Sequence, residues 1–150
     1  RAREQRFGRH ADGGAMAAVK RRLRIPVIAN GEVFSPEDAR ACREITGADG
    51  VMVGRGTMGA PWLVGQIDAA LKGQPVPPTP SARERLTIAA DQLQALVAAR
   101  GDHGLLIARK HMSWTCTGFK GASQFRQQLM RAPTPDQALS LLRQQQDQLA

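Results

Sequence analysis

Asparagine, glycine and arginine in two short turns carry the clearest chemistry in this sequence. The first turn, Ile28-Ala29-Asn30-Gly31-Glu32, and the second, Val51-Met52-Val53-Gly54-Arg55-Gly56, each close an apolar run. Glycine bares the backbone so that amide N–H groups can reach an oxyanion, and arginine adds a permanently charged planar fork that matches phosphate oxygens. If both turns leave the same end of neighbouring parallel strands, they form the kind of phosphate cradle that β/α barrels build after their last two strands. In that reading Gly54 and Gly56 permit close approach and Arg55 supplies the charge. The alternative is that these glycines make tight turns and nothing more.

The elements that would position the turns follow from local pattern. Arg24-Ile25-Pro26-Val27-Ile28-Ala29 is β-branched and apolar, the pattern of a strand buried on both faces, with Pro26 tolerable near its start. Ser35-Pro36-Glu37-Asp38 then reads as a helix N-cap, a first-turn proline and two acids facing the helix dipole. Ala39, Cys42 and Ile45 are expected to form that helix's apolar stripe, which ends at Gly47. A second buried strand is expected over Ala48–Val53, followed by the Gly54–Thr57 turn and a helix from the Ala60-Pro61-Trp62-Leu63 stretch through Leu71. Strand, helix, strand, helix in this order predicts an α/β architecture with a parallel sheet and functional residues at the strands' carboxyl ends.

Lys72-Gly73-Gln74-Pro75-Val76-Pro77-Pro78-Thr79-Pro80 is proline-rich and extended, the composition of a stiff linker. It divides the chain into residues 1–72, a linker at 73–80 and an all-α region at 81–150. Ser81 can cap a helix bearing Leu86, Ala89, Ala90, Leu93 and Leu96 or Val97 at helical spacing. Further helices are expected from Leu105 to Trp114, from Ala122 to Leu129 and from Thr134-Pro135-Asp136 onward, with Gln144, Gln145 and Gln146 as a solvated, fraying end.

Three segments together resemble one family. Val27-Ile28-Ala29-Asn30-Gly31-Glu32-Val33, Gly47-Ala48-Asp49-Gly50-Val51-Met52-Val53-Gly54-Arg55-Gly56 and Arg109-Lys110-His111 are similar to the C-terminal half of a tRNA-dihydrouridine synthase of the bacterial B-type branch. Arg1-Ala2-Arg3-Glu4-Gln5 and Ala17-Ala18-Val19-Lys20 fit the same order and spacing. The resemblance implies the last strands and helices of a flavin-binding (β/α)8 TIM barrel followed by a C-terminal helical bundle that binds tRNA. It implies reduction of uridine to 5,6-dihydrouridine with FMN and an NADPH reductant. Asn30, Gly31 and Glu32 would then contact FMN, Gly54 and Arg55 would hold its phosphate, and Arg109, Lys110 and His111 would face RNA.

By the same resemblance the catalytic cysteine precedes Arg1, so these 150 residues alone are expected to be inactive. Cys42 and Cys116 read as small buried hydrophobes and not as proton donors. The sequence departs from the family pattern at Ala2, at Gly13, at Thr115 beside Trp114, and in the loop Thr117-Gly118-Phe119-Lys120-Gly121.

Charge points independently to a polyanion. The formal net charge is +8, and it is unevenly spread. Residues 1–24 carry eight Arg or Lys against Glu4 and Asp12, and residues 100–131 carry six against Asp102. Such segments can grip a folded RNA by its phosphates, although each is also compatible with a solvated face. With few aromatics and no Tyr, shape and phosphate contacts are expected over broad base stacking. A complete barrel takes about 250 residues, so only two of its strands are expected here, with edges that the missing N-terminal half of the barrel could cover. No long apolar run, no signal-like amino terminus and no cysteine framework lead to the expectation of a cytoplasmic location without a membrane. Two other functions fit parts of the pattern: a non-catalytic RNA-binding remnant, and another FMN- or phosphate-binding barrel oxidoreductase.

Overall fold

The computed structural model describes residues 11–149. The Arg1-Ala2-Arg3-Glu4-Gln5 motif, and with it part of the first basic segment, lies outside the described residues. The described chain is mostly helical with one short parallel sheet, and it divides into two compact units: residues 11–57 with Pro61–Pro78, and Met58–Ala60 with residues 79–149.

The first unit opens with a helix absent from the expectations above, α1 (Gly13–Arg22). Asp12 caps it by accepting a hydrogen bond from the Ala15 N–H at 3.0 Å, and Lys20, Arg21 and Arg22 complement the negative end of its dipole. Paired glycines at its start obscure it in the sequence, because Gly13 and Gly14 lower helix propensity. Gly13 is nevertheless required: a Cβ there would lie 2.7 Å from the Ile45 Cγ2 of the next helix.

Strands β1 (Ile28–Asn30) and β2 (Gly50–Met52) pair in parallel, Ile28 opposite Gly50, Ala29 opposite Val51 and Asn30 opposite Met52. Both are shorter than the apolar runs that contain them. Before β1, Val27 and Asp49 bond reciprocally: the Val27 carbonyl accepts from the Asp49 N–H at 2.9 Å, and the Val27 N–H donates to the Asp49 carboxylate at 2.6 Å. Lys20 completes the knot with a 2.6 Å ion pair to Asp49. The Lys20 hydrogen bond, followed by that from Val27, holds the Asp49 carboxyl below its ordinary range.

The expectation of burial on both sheet faces is corrected. Ala29 is buried, whereas Ile28 and Met52 are 59% and 51% exposed. Helix α2 (Pro36–Thr46) packs on the sheet with α1 and α3 (Leu63–Leu71) against it, and alternate strand residues point away from that cover. Capping of α2 is as the sequence predicts: the Ser35 hydroxyl accepts from the Asp38 N–H, Pro36 opens the helix, and Gly47 ends it at φ 64°. Its buried stripe differs. Ala39 and Thr46, seven residues apart, share the inward face, while Ile45 lies about 120° round the helix from Ala39 and is 62% exposed. Thr46 tolerates burial because its hydroxyl donates to the Cys42 carbonyl and accepts from the Ala48 N–H.

Residues 74–80 carry no regular structure, and the buried Gln66 side chain of α3 donates to the Pro77 carbonyl at 2.9 Å. In the second unit, helices α4 (Ala82–Arg100), α5 (His103–Thr115), α6 (Ala122–Arg131) and α7 (Pro135–Gln148) enclose one apolar core. Leu86 and Leu93 from α4, Met112 from α5, Leu129 from α6 and Leu142 from α7 are its fully buried large side chains. A capping box starts α4: Ser81 accepts from the Glu84 N–H while the Glu84 carboxylate accepts from the Ser81 N–H. The carboxyl-terminal glutamines are not a frayed end. Helix α7 runs to Gln148, and the Gln146 side-chain amide donates to the Thr87 hydroxyl at 2.7 Å.

At the α4–α5 crossing, Gly104 lets the two backbones touch, since a Cβ there would collide with the Leu96 carbonyl and the Val97 nitrogen. Neither neighbour is the free end of a flexible side chain. Gly104→Ala is therefore expected to lower stability by about 1–3 kcal/mol, the cost of overpacking, as read from the urea midpoint of the helical transition.

Candidate functional site

Parallel pairing sends both chain exits to the same end of the sheet. Asn30, the last residue of β1, stands in register with Met52, so Gly31-Glu32 and Gly54-Arg55 leave from adjacent carboxyl ends. Two features hold the loops together. A Cβ on Gly56 would strike the Val33 carbonyl, so the second loop passes directly against the first, and the Arg55 guanidinium lies 5.9 Å over the Phe34 ring. Phe34, an exposed aromatic three residues after Gly31, was not singled out from sequence; its place beside Arg55 is its only distinguishing mark.

Each expected residue has a definite environment. Glu32 occupies the left-handed region at φ 52°, an uncommon conformation for a residue with a side chain, and its carboxylate accepts from the Ala11 N–H at 3.2 Å. Gly31 is packed, since a Cβ there would run into the Ala11 side chain. Asn30, Gly54 and Arg55 are exposed. Gly54 differs from its neighbours in having neither a positive φ nor any described atom within 4 Å of where a Cβ would sit. Nothing within the described protein accounts for a glycine at that position.

The following residues form a single 3-10 turn, Arg55–Thr57, in which the Thr57 N–H and hydroxyl both return to the Gly54 carbonyl. This fixes the Gly54 backbone without filling the space outside it. An exposed glycine, an adjacent guanidinium and an asparagine on the neighbouring strand end constitute an arrangement that can receive an oxyanion. Among the described residues no group of His, Cys, Asp and Glu could hold a metal ion. A cavity of about 400 Å³ lies elsewhere in this unit, lined by apolar side chains including Met16, Val19 and Val27, between α1 and β1.

In the helical unit, Arg109, Lys110 and His111 fall in the middle of α5 and do three different things. Arg109 is turned toward the fold: its Nη2 donates to the Ala132 carbonyl at the end of α6 (2.9 Å), and its Nε is buried without a partner. Lys110 is exposed, with its Nζ 5.1 Å from the Trp114 ring centre. His111 meets the same ring edge-on at 5.7 Å. Trp114 is thus the organising side chain of this surface.

The two cysteines are withdrawn from proton transfer by different degrees of burial. Burial raises the Cys42 thiol above its ordinary value. Cys116 is fully buried, and desolvation pushes it up to about 12 against the opposing charges of Arg126 and Arg85.

Comparison with known proteins gives a family match over the whole chain: the family described as Dihydrouridine synthase (Dus) matches residues 1–150. The "Probable tRNA-dihydrouridine synthase 1" of Synechocystis is 44% identical over 144 residues, which cover 96% of this chain and 41% of that protein. The "Probable tRNA-dihydrouridine synthase" of Rhodobacter capsulatus is 41% identical over 144 residues, covering 95% of this chain and 44% of the relative. The "tRNA-dihydrouridine synthase B" of Xanthomonas axonopodis is 39% identical over 151 residues, with coverages of 99% and 45%. The chain therefore spans less than half the length of these curated relatives.

Two outcomes follow from these environments. Arg109→Ala should lower the urea midpoint by the equivalent of about 1.5–3 kcal/mol, the range for a hydrogen bond to a charged group, whereas exposed Lys110→Ala should leave it nearly unchanged. Because the folded Cys116 thiol titrates near 12 and its ordinary value is 9.0, the fold favours the protonated form. That contribution is complete below pH 9.0 and is lost as the pH rises toward 12, so the alkaline fall in stability should be shallower in Cys116→Ala. Denaturation monitored between those limits checks the sign.

Proposed function

The chain belongs to the dihydrouridine synthase family, and on that premise we propose that it is the cofactor-phosphate and RNA-binding portion of a flavin-dependent tRNA-dihydrouridine synthase. The reaction is reduction of the uridine C5–C6 bond in tRNA, with FMN resident and NADPH as the reductant. The observation that carries the reading is Gly54, exposed at the end of β2 with no described atom within 4 Å of where a Cβ would sit and Arg55 beside it. A phosphate that approaches the backbone supplies the missing reason for glycine at that position.

In this reading FMN, when bound, supplies hydride for uridine C6. Arg55 neutralises phosphate charge, and its contact with Phe34 limits the directions its guanidinium can take before a ligand arrives. Asn30, Gly31 and Glu32 shape the adjoining wall, with the strained Glu32 backbone and its bond to Ala11 fixing the path of that loop. The C5 proton comes from an acid outside these residues, since Cys116 is buried with its thiol near 12 and Cys42 is displaced in the same direction. The 150 residues alone accordingly bind FMN weakly and do not turn over, which leaves an RNA-binding remnant as the reading for this length of chain in isolation.

The architecture we propose is two neighbouring strands of a (β/α)8 barrel followed by a separate helical RNA-binding domain, with residues 73–80 as the linker. It is supported by the parallel β1–β2 pair, by the exposed apolar side chains Ile28 and Met52, and by the apolar cavity beside β1, all of which suit further strands from the remainder of a longer protein. The basic helical unit favours RNA over the substrates of other flavin barrels; Lys110 and His111 present their groups around Trp114, while Arg109 contributes through the position of α5. No helix among the described residues is long and apolar enough to cross a membrane, which suits work on tRNA in the cytoplasm.

In the protein carrying the remaining strands, Arg55→Ala should weaken FMN by about 1.5–3 kcal/mol, as expected for loss of a charged hydrogen bond. Flavin fluorescence titration measures this, and mass spectrometry of tRNA incubated with FMN and NADPH measures uridine reduction. Unchanged FMN affinity would remove Arg55 from the site; absence of dihydrouridine with the unaltered protein would remove the activity.

A further inference from the structure

Helices α5 and α6 are fastened together at two points by arginines that donate to backbone carbonyls. Arg109 bonds the Ala132 carbonyl at 2.9 Å, and Arg126 bonds the Cys116 carbonyl at 3.1 Å. Between these fastenings lies an open groove of about 340 Å³, lined by Ser113, Ser123, Arg126, Gln127, Met130 and Arg131. Its polar rim consists of hydroxyls, an amide and guanidinium groups. No carboxylate competes: residues 103–135 contain no Asp or Glu but include Arg109, Lys110, Lys120, Arg126 and Arg131. On α5, Lys110 and Trp114 lie within about 100° of the helix circumference that also holds Ser113, so the exposed ammonium and the indole border the same face.

We propose that this α5–α6 groove seats the phosphodiester backbone of RNA, with the Lys110 ammonium over Trp114 at its border. The proposal rests on the RNA-binding reading above and assigns it to residues outside the Arg109-Lys110-His111 triplet. The chemistry of the lining is specific to such a ligand. Serine and glutamine donate neutral hydrogen bonds to phosphate oxygens, Arg126 is held by one carbonyl while its guanidinium retains further donors, and Arg131 adds charge at the end of α6. An apolar peptide finds only Met130 in the groove, and an acidic protein lacks the extended phosphate spacing that a row from Ser123 through Gln127 to Arg131, four residues apart on one helix face, can follow.

The test uses two substitutions that change net charge equally. Gln127→Glu places a carboxylate in the groove, four residues from Arg131; Gln144→Glu places one on exposed α7. Filter binding of unmodified tRNA by the 150-residue chain should weaken about fivefold for Gln127→Glu, the effect of a unit charge at contact distance in a wet site, and less than about twofold for Gln144→Glu. Arg131→Ala, equally exposed, should lower the slope of log affinity against log salt by about 0.7–0.9. Circular dichroism checks that the three variants unfold like the parent. Equal weakening by the two glutamate substitutions, or an unchanged slope for Arg131→Ala, would overturn the groove while leaving RNA binding intact. Failure of the unaltered chain to bind tRNA even at low salt would overturn the RNA reading and the groove with it.

Discussion

Parallel pairing of β1 with β2 is the constraint on which the first unit depends. An antiparallel pair would place the Asn30 and Gly54 loops at opposite ends, whereas a parallel pair needs a crossover and returns both exits to one end. Helix α2 is that crossover, and its strong boundaries, Ser35 with Pro36 at one end and left-handed Gly47 at the other, set how far the chain travels before it returns. The ladder has three paired positions, too few to resist slippage by itself. Asp49 supplies the missing restraint. Its N–H and carboxylate grip the two sides of Val27 while Lys20 reaches from α1, so one residue before β2 fixes both the register and the helix beside it.

The helical unit solves a different problem with the same residue type. A basic surface raises repulsion within the fold, yet the arginines nearest the core are directed at carbonyls left unpaired where α5 and α6 end. The arrangement carries a cost, because the Nε atoms of Arg85 and Arg109 are buried without partners. What it achieves is a fixed separation between two helices whose outer faces carry Lys110, Trp114 and Arg131. Charge near the interior builds the surface, and the charge of Lys110 and Arg131 stays exposed on it. Substituting one class for the other is not conservative, since a lysine has no planar fork to replace Arg109 at the end of α6.

Much of this was legible in the sequence where local chemistry decides the outcome. Helices α2, α4 and α7 announce themselves through Ser35-Pro36, Ser81, and Thr134-Pro135, because caps act within one turn of chain. The proline-rich segment and the Asn30 and Gly54 turns are equally local. Helix α1 was hidden because Gly13 and Gly14 lower helix propensity, while the reason for Gly13 is a distant contact with Ile45. Exposure of Ile28 and Ile45 was also unreadable: hydrophobicity marks what can be buried, and the partner that buries it is a tertiary fact. Arg109-Lys110-His111 looked like one basic motif, but consecutive helix positions are about 100° apart, so the three side chains diverge into a fold contact, a cation over Trp114 and an edge against the same ring.

Gly54 and Gly56 show the limit most clearly. From sequence they are one motif with one explanation, a backbone bared for an anion. In three dimensions Gly56 is fully accounted for by the Val33 carbonyl, which a Cβ would strike, and Gly31 by the Ala11 side chain. Of these three, only Gly54 has no described atom near its Cβ side and an ordinary backbone conformation, a combination that Gly65 in α3 shares. A glycine that packing requires is evidence about the fold alone. One that neither packing nor φ requires leaves its backbone open to approach, and at Gly54 the Arg55 guanidinium stands beside that opening. Gly56 is the packed glycine that draws the Arg55 loop against the loop after Asn30, so in the proposed reading an oxyanion at Gly54 would lie within reach of groups from both strand ends.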